Sequence, residues 1–422
     1  MKKNILLLIL LCLAVFSTKA EVMPELLQDS TRLFRKKLIS KTVSESLKSQ
    51  TVNLPNIDFD IPDLSMIDSA MEELDKKMLA LETNLDLNIS ALAEAETQNG
   101  MSVSLAITQK GERNPTRVEN KTFTNISEIE MDHKYGNIVV QETNAKQVNL
   151  EIQYFDTKDE KASCNISTSR GILFVATTSS GKRAKINYII TVPRNVALNV
   201  FQKYGNIKLG NYSGTFGADL SYTNLDAQSF SGTTPTIKTK YGNVNIGSLN
   251  DISLTASYST VKIDKGSNIQ VSGNYSNYTL GNIHSLSVNG SLAYGQFNIG
   301  TVSSVNTNLK YTNMTIDNLV SDIQSVCAYS DMRISSVSSS KLSSIVVKGS
   351  YSDLTITLPD DAAASFSADL IYGDFTVSKK HSVSYTENST QNNRVSKRGQ
   401  IGTKTPKLKI EVSNKYADIR IR

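Results

Sequence analysis

The sequence predicts a mainly β protein, built as a parallel β-helix or solenoid with an N-terminal α-helical segment ahead of it. Three observations carry this expectation. A motif centred on tyrosine recurs through the second half of the chain, and seven consecutive spacings from Tyr204 to Tyr329 cover 125 residues, as expected of a repeat architecture. Upstream of each tyrosine, apolar residues alternate with polar ones, as in Ile252, Leu254, Ala256 and Tyr258, so they share one face of a strand. Before Gly100 the apolar period is helical instead: Leu64, Ile67, Met71, Leu74, Met78, Leu81, Leu85, then Asn88, Leu92 and Ala95 fall three and four residues apart, the pattern of a coiled-coil seam.

Taken in chain order, residues 1–20 read as a secretory signal. Lys2 and Lys3 precede an apolar run from Ile5 to Phe16, and Thr18-Lys19-Ala20 supplies the small-residue cleavage site. The run is too short to span a bilayer, and Leu11 stands before Cys12 where a lipoprotein signal carries a small residue, so no lipid anchor is expected. No later stretch is apolar enough for a transmembrane helix. The chain is therefore predicted to be exported, to the periplasm or to the outer membrane and cell surface. Cleavage removes three lysines and lowers the formal charge from +5 to +2, which argues against a nucleic-acid partner. Cys164 and Cys327 survive cleavage in a compartment that permits a disulfide, and spacing does not decide whether they pair.

Residues 21–100 form the predicted helical segment, with its heptad seam over 64–95. Asp63 or Ser65 can cap this helix behind Pro62, and Ser65 with Asp68 fits a capping box. The seam can pack on the helix-like stretch around Met23, Leu27, Phe34 and Leu38, or join a second copy as a homo-oligomer. Between the two, Asn53 to Pro62 reads as an extended linker, because each proline disfavours helix in the residue before it.

Strands take over for residues 101–422, the predicted repeat domain. The motif is Tyr, then Gly, Ser, Thr or Ala, then usually Asn or Asp, then apolar-x-apolar. It centres on Tyr135, Tyr204, Tyr222, Tyr241, Tyr258, Tyr275, Tyr294, Tyr311, Tyr329, Tyr351, Tyr372 and Tyr416, twelve of the 17 tyrosines. Shared parity predicts that each ring points into the core, with small residues such as Ala256, Gly273 and Cys327 two positions earlier making room. Stacked coils would set tyrosine on tyrosine at about 4.8 Å. The competing arrangement, an up-and-down sheet with Gly-Asn hairpin turns, needs positive φ at a position where Ser259 or Thr223 also occurs. Phe123, Tyr135-Gly136-Asn137-Ile138, the Thr191-Val192-Pro193 turn and the serial Tyr-Gly-Asn corners resemble the bacterial putative-adhesin family of exported tandem β-strand-repeat proteins over roughly residues 121–422. That resemblance implies an elongated, right-handed β-helical body at the cell envelope.

Chemistry is sparse: no Trp, three His and three Cys leave few groups for metal sites or acid–base pairs. Asp331, Asp353 and Asp374 occupy one repeat slot and would stack, which raises glycoside chemistry. Asn fills the same slot elsewhere, so a turn role is expected. His133, His284 and His381 lack ligand spacing and read as surface or turn residues. Lys134, Lys203, Lys240, Lys310 and Lys415 precede their tyrosines as a solvated or glycan-facing strip. A polar insertion over about 378–409 carries eight cations and one acid, Glu387. It reads as a mobile loop replacing one coil, with Arg394, Lys397, Arg398 and Lys404 as an anion-binding set. No catalytic, cofactor-binding or metal-binding residue is predicted. The expected function is a non-enzymatic, adhesin-like interaction or scaffold protein with an envelope glycan or protein as partner. The alternative is a β-helical carbohydrate-active enzyme, a lyase or hydrolase.

Overall fold

The computed structural model describes residues 114–179, 184–338 and 343–422. The signal, the helical segment and the heptad seam lie outside the described residues. Within them the chain is nearly all strand and contains no helix. Twenty-four strands are joined by hydrogen bonds into one continuous sheet.

The first seven strands build one end. They are β1 (Arg117–Thr124), β2 (Glu128–Lys134), β3 (Ile138–Thr143), β4 (Gln147–Phe155), β5 (Ala162–Ser169), β6 (Ile172–Ser179) and β7 (Lys185–Pro193). β1 pairs with β4, β4 with β7 and β5 with β6, all antiparallel. β2 and β3 lie parallel to β6 and β7 on one side and to β8 (Ala197–Tyr212) on the other. β2 and β3 flank Tyr135, so the layer they make has one wall before its tyrosine and one after.

A regular pattern begins at β8. It pairs parallel with β9 (Phe216–Phe230), Leu198 facing Phe216 and Leu209 facing Ala227, with no change of offset through the corner. β10 (Thr236–Lys240), β11 (Asn243–Leu249), β12 (Asp251–Ser257), β13 (Thr260–Ser272), β14 (Asn277–Val288) and the long β15 (Leu292–Ala328) continue it. Thr236 lies between Gly217 and Ser253, and Asn277 between Thr260 and Gln296. Alternation along each wall sends Val244, Ile246, Val261, Ile263, Leu280 and Ile299 into a continuous apolar core. Tyr278 and Phe297 take the same inward slot and stack there at 4.6 Å.

Chain order and spatial order part company after β15. Next come β16 (Met332–Ile334), β17 (Ser343–Ser350), β18 (Leu354–Ile356), β19 (Ala364–Ile371) and β20 (Phe375–Val377). β21 (Val383–Gln391), β22 (Arg394–Ile401), β23 (Leu408–Lys415) and β24 (Ile419–Ile421) complete the chain. β23 runs parallel between β17 and β19, and β24 between β18 and β20. The last layer made is thus inserted between the two preceding ones.

Two expectations are corrected here. The molecule is mainly β, but it is not the parallel β-helix that the spacing predicts: antiparallel strands close both ends, β19–β22 and β21–β22 at the second. The 378–409 segment is not a mobile loop. Its centre is the β21–β22 hairpin, anchored by Val395 and Ile401, both buried. The 44-residue gap from Tyr372 to Tyr416 therefore holds an end cap, and no coil is missing.

Candidate interaction surface

Each of the twelve repeat tyrosines has φ between +51° and +62°. A bulky residue there is uncommon, and the strain amounts to roughly 1–2 kcal/mol per residue. This left-handed residue turns the chain from the first wall into the second. It also resets the alternation: Leu254 and Ala256 are buried before Tyr258, whereas Ser259 and Val261 are buried after it. The tyrosine is the supernumerary residue, and its side chain is expelled from the core. Ten of the twelve rings are 37–53% exposed. The inward placement expected from parity is therefore wrong, because parity does not survive a left-handed corner.

Outside, the rings form one column in the order Tyr135, Tyr204, Tyr222, Tyr241, Tyr258, Tyr275, Tyr294, Tyr311, Tyr329, Tyr351, Tyr416, Tyr372. Neighbouring centroids are 4.7–5.1 Å apart, with interplanar angles of 2–19°. Lys134, Lys240 and Lys310 set their ammonium groups over the adjacent ring at 4.9, 5.3 and 5.9 Å. Ring faces are covered by the neighbouring rings, so the column offers solvent its edges and hydroxyls.

The two residues after each tyrosine hold the corner. Ser259, Thr312, Ser330 and Ser352 are buried, and each hydroxyl donates to the carbonyl of the residue before the tyrosine at 2.9–3.0 Å. The same oxygens accept an amide from the adjoining layer, as Ser352 does from Ser330 N–H at 2.9 Å. Glycine at this slot reflects a different constraint: a Cβ on Gly205 would lie 1.8 Å from the Gly136 carbonyl oxygen. One position later, the side-chain oxygen accepts the next layer's amide. Asn137 receives Asn206 N–H at 3.1 Å, and Asn224 receives Asn243 N–H at 3.0 Å.

Carboxylates do the same work at the other end. In spatial order the slot holds Asp331, Asp353, Asp418 and Asp374. Asp331 accepts from Asp353 N–H, Asp353 from Asp418 N–H and Asp418 from Asp374 N–H at 2.9–3.1 Å. Arg420 bridges Asp353 and Asp418. Asp418 stands two residues after Tyr416, in the same repeat slot as the other three; the tertiary structure adds its place between Asp353 and Asp374. The column is a set of interlayer ties, and no group of three or more His, Cys, Asp or Glu among the described residues could hold a metal.

The other sequence candidates lie apart. His284 is exposed and His381, although buried, closes a turn through its N–H to the Ser378 carbonyl, both as expected, whereas His133 is buried on a strand. His133 Nδ1 is 2.9 Å from the Thr177 hydroxyl, and burial pulls its pKa down from 6.5 to about 4. Cys164 and Cys327 are both free thiols; Cys327 is in the core, and burial raises the pKa of each. In the basic segment, Arg398 pairs with Asp369 and Glu387, Lys404 Nζ lies 3.4 Å from Asp361, and Lys397 donates to the Phe375 carbonyl. Arg394 has no acidic partner among the described residues. Arg398, Lys404 and Lys397 make these contacts to different partners.

No family model matches the chain, and no curated protein matches it. Among solved structures, a putative cell adhesion protein from Clostridium sporogenes is 10% identical and covers 72% of this chain and 98% of its own, with a TM-score of 0.16. A putative adhesin from Parabacteroides merdae is 14% identical and covers 57% and 95%, with a TM-score of 0.30. A putative lipid binding protein from Parabacteroides distasonis is 10% identical and covers 73% and 98%, with a TM-score of 0.28.

Proposed function

We propose that this chain is a non-enzymatic interaction or scaffold protein of the cell envelope, whose layered β walls present a tandem-repeat surface to a glycan or protein partner. One observation carries the reading: small hydrogen-bonding side chains recur in register along the outside of the walls. Asp251, Asn268 and Ser285 form one such row, Asn268 donating to Asp251 and Ser285 to Asn268 at 2.7–2.8 Å. Thr279 and Asn298 begin another, with the longer Lys262 in the adjoining layer. A rigid row of donors and acceptors suits a polyhydroxylated chain or a polar protein face, because little side-chain entropy remains to be lost on binding. The enzyme alternative has less support, since the carboxylate column is committed to backbone amides. In the full chain, residues 1–20 would direct export, 64–95 would supply a helical seam, and Arg394 would remain available to an anion.

Capture on the immobilised mature protein tests this reading. Purified envelope polysaccharide and the detergent-extracted envelope proteins are passed over it separately. One class should be retained above a blank resin, and retention should fall several-fold in Asn268→Ala/Thr279→Ala/Ser285→Ala. Retention of neither class, or turnover of the polysaccharide, would overturn it.

A further inference from the structure

We infer that the tyrosine column is an interface between two copies of this chain, in which the columns lie side by side along the stacking axis. The first argument is area. A tyrosine side chain presents about 150–250 Å², so ten rings at 37–53% exposure leave on the order of 1,000 Å² of contiguous aromatic edge. Monomeric proteins rarely leave a patch above roughly 300–600 Å² open to water. Two such strips would bury roughly 2,000 Å² together, which reaches the size of stable protein interfaces, and tyrosine is a residue type enriched at their centres.

The second argument is period. A partner that engages every ring must repeat at 4.7–5.1 Å along the column, and a second stack of the same layers does so by construction. Face-on stacking of sugar rings, the usual use of aromatic strips, is blocked because each interior ring is covered on both faces by its neighbours. Edges and hydroxyls remain, and these suit edge-to-face and hydroxyl-to-hydroxyl contacts with a like strip.

The third argument is charge. From Tyr258 to Tyr351 the outward residue before each ring is Ser257, Asn274, Ala293, Lys310, Ala328 and Ser350, so six successive layers carry one cation on that side. Like surfaces can approach there with little repulsion. A two-fold arrangement of identical strips is closed, so it ends at a dimer. This inference is independent of the glycan or protein partner proposed for the walls, and the two can fail separately.

Sedimentation velocity of the full mature chain tests it, with Leu74→Glu/Leu81→Glu as the background so that the heptad seam contributes nothing. That protein should sediment as a dimer. Replacing Tyr258, Tyr275 and Tyr294 by Asn, which tolerates the left-handed corner, should yield a monomer. A second triple variant, Ser257→Lys/Asn274→Lys/Ala293→Lys, keeps every ring and should weaken the dimer at least tenfold, with recovery in high salt. Circular dichroism and thermal midpoint verify that each variant is folded. A monomeric parent, or a dimer unchanged by both triples, would overturn the inference. So would a monomeric parent whose Asn triple loses polysaccharide retention, an outcome that assigns the column to a glycan.

Discussion

At the scale of single residues, the notable choice is tyrosine where backbone geometry favours Gly or Asn. The strain of roughly 1–2 kcal/mol per left-handed residue is offset by stacking, which contributes about 0.5–1.5 kcal/mol per aromatic pair. Each stack is shared by two rings, so the column has about one stack per ring, which offsets much of the strain without exceeding it. Tyr275 is 46% exposed and stacks on Tyr258 and Tyr294 at 4.8 Å. Tyr275→Ala loses both stacks and keeps the strained φ, and is expected to destabilise by about 1–3 kcal/mol. Tyr275→Gly loses the same contacts but relieves the backbone, and should be more stable than the Ala variant by about 1 kcal/mol. Urea midpoints of the two proteins decide this, and equal or reversed values would argue against the left-handed corner.

At the scale of elements, the inserted layer is the feature most open to test. Ile410 on β23 is fully buried and lies in register with Ile345 on β17 and Phe366 on β19. Neighbouring layers stabilise one another chiefly by contact. Ile410→Ala should cost about 2–5 kcal/mol, and its effect should spread by spatial order. Amide exchange should accelerate in β19, β20 and β22 together with β23, although three of these precede β23 in the chain, while β11 to β14 keep their protection. Protection of β19 unchanged from wild type would contradict the insertion. The outer hairpin has a further role at the second end. β21 is largely polar and exposed, and its register shifts between Tyr385 and Glu387. Both features blunt an open strand edge against further pairing, so any association between copies is directed to the sides of the stack.

Across the whole stack, acid stability depends on how the first end is closed. His133 on β2 meets Thr177 of β6 and sets its ring edge-on to Tyr188 of β7, 5.0 Å between centroids. It thereby joins the two walls where the antiparallel strands begin. Its pKa is lowered by burial from 6.5 to about 4, so between those values the unfolded chain binds the extra proton. Stability from this group is complete above pH 6.5 and declines as pH falls towards 4, by about 3 kcal/mol in total. His133→Asn, whose side-chain amide occupies the place of Nδ1 beside the Thr177 hydroxyl but does not titrate, should flatten that part of the curve. Denaturation free energies at pH 7.0, 5.5 and 4.5 measure the slope, and the same slope in both proteins would remove His133 as its source.

The mainly β class and the apolar residues that face the core were legible in the sequence of the described residues, because side-chain alternation on a strand is a local property. So were the twelve corner positions, since the residues after each tyrosine answer to local backbone demands: a hydroxyl to close the turn, or no Cβ where the next layer approaches. The direction of the tyrosines was not legible. It depends on a positive φ that shifts parity by one residue, and parity was the only guide available from the chain. Burial of His133 follows from its parity with Ile129 and Met131 on β2, but its partners Thr177 and Tyr188 were hidden because they come from distant strands. The position of Asp418 between Asp353 and Asp374, and the end-capping hairpin, were hidden for a related reason. Sequence spacing reports order along the chain, whereas β23 pairs with strands that begin 65 and 44 residues before it. Only tertiary packing decides which layer lies beside which, because each wall offers the same ladder of hydrogen bonds to any strand in register.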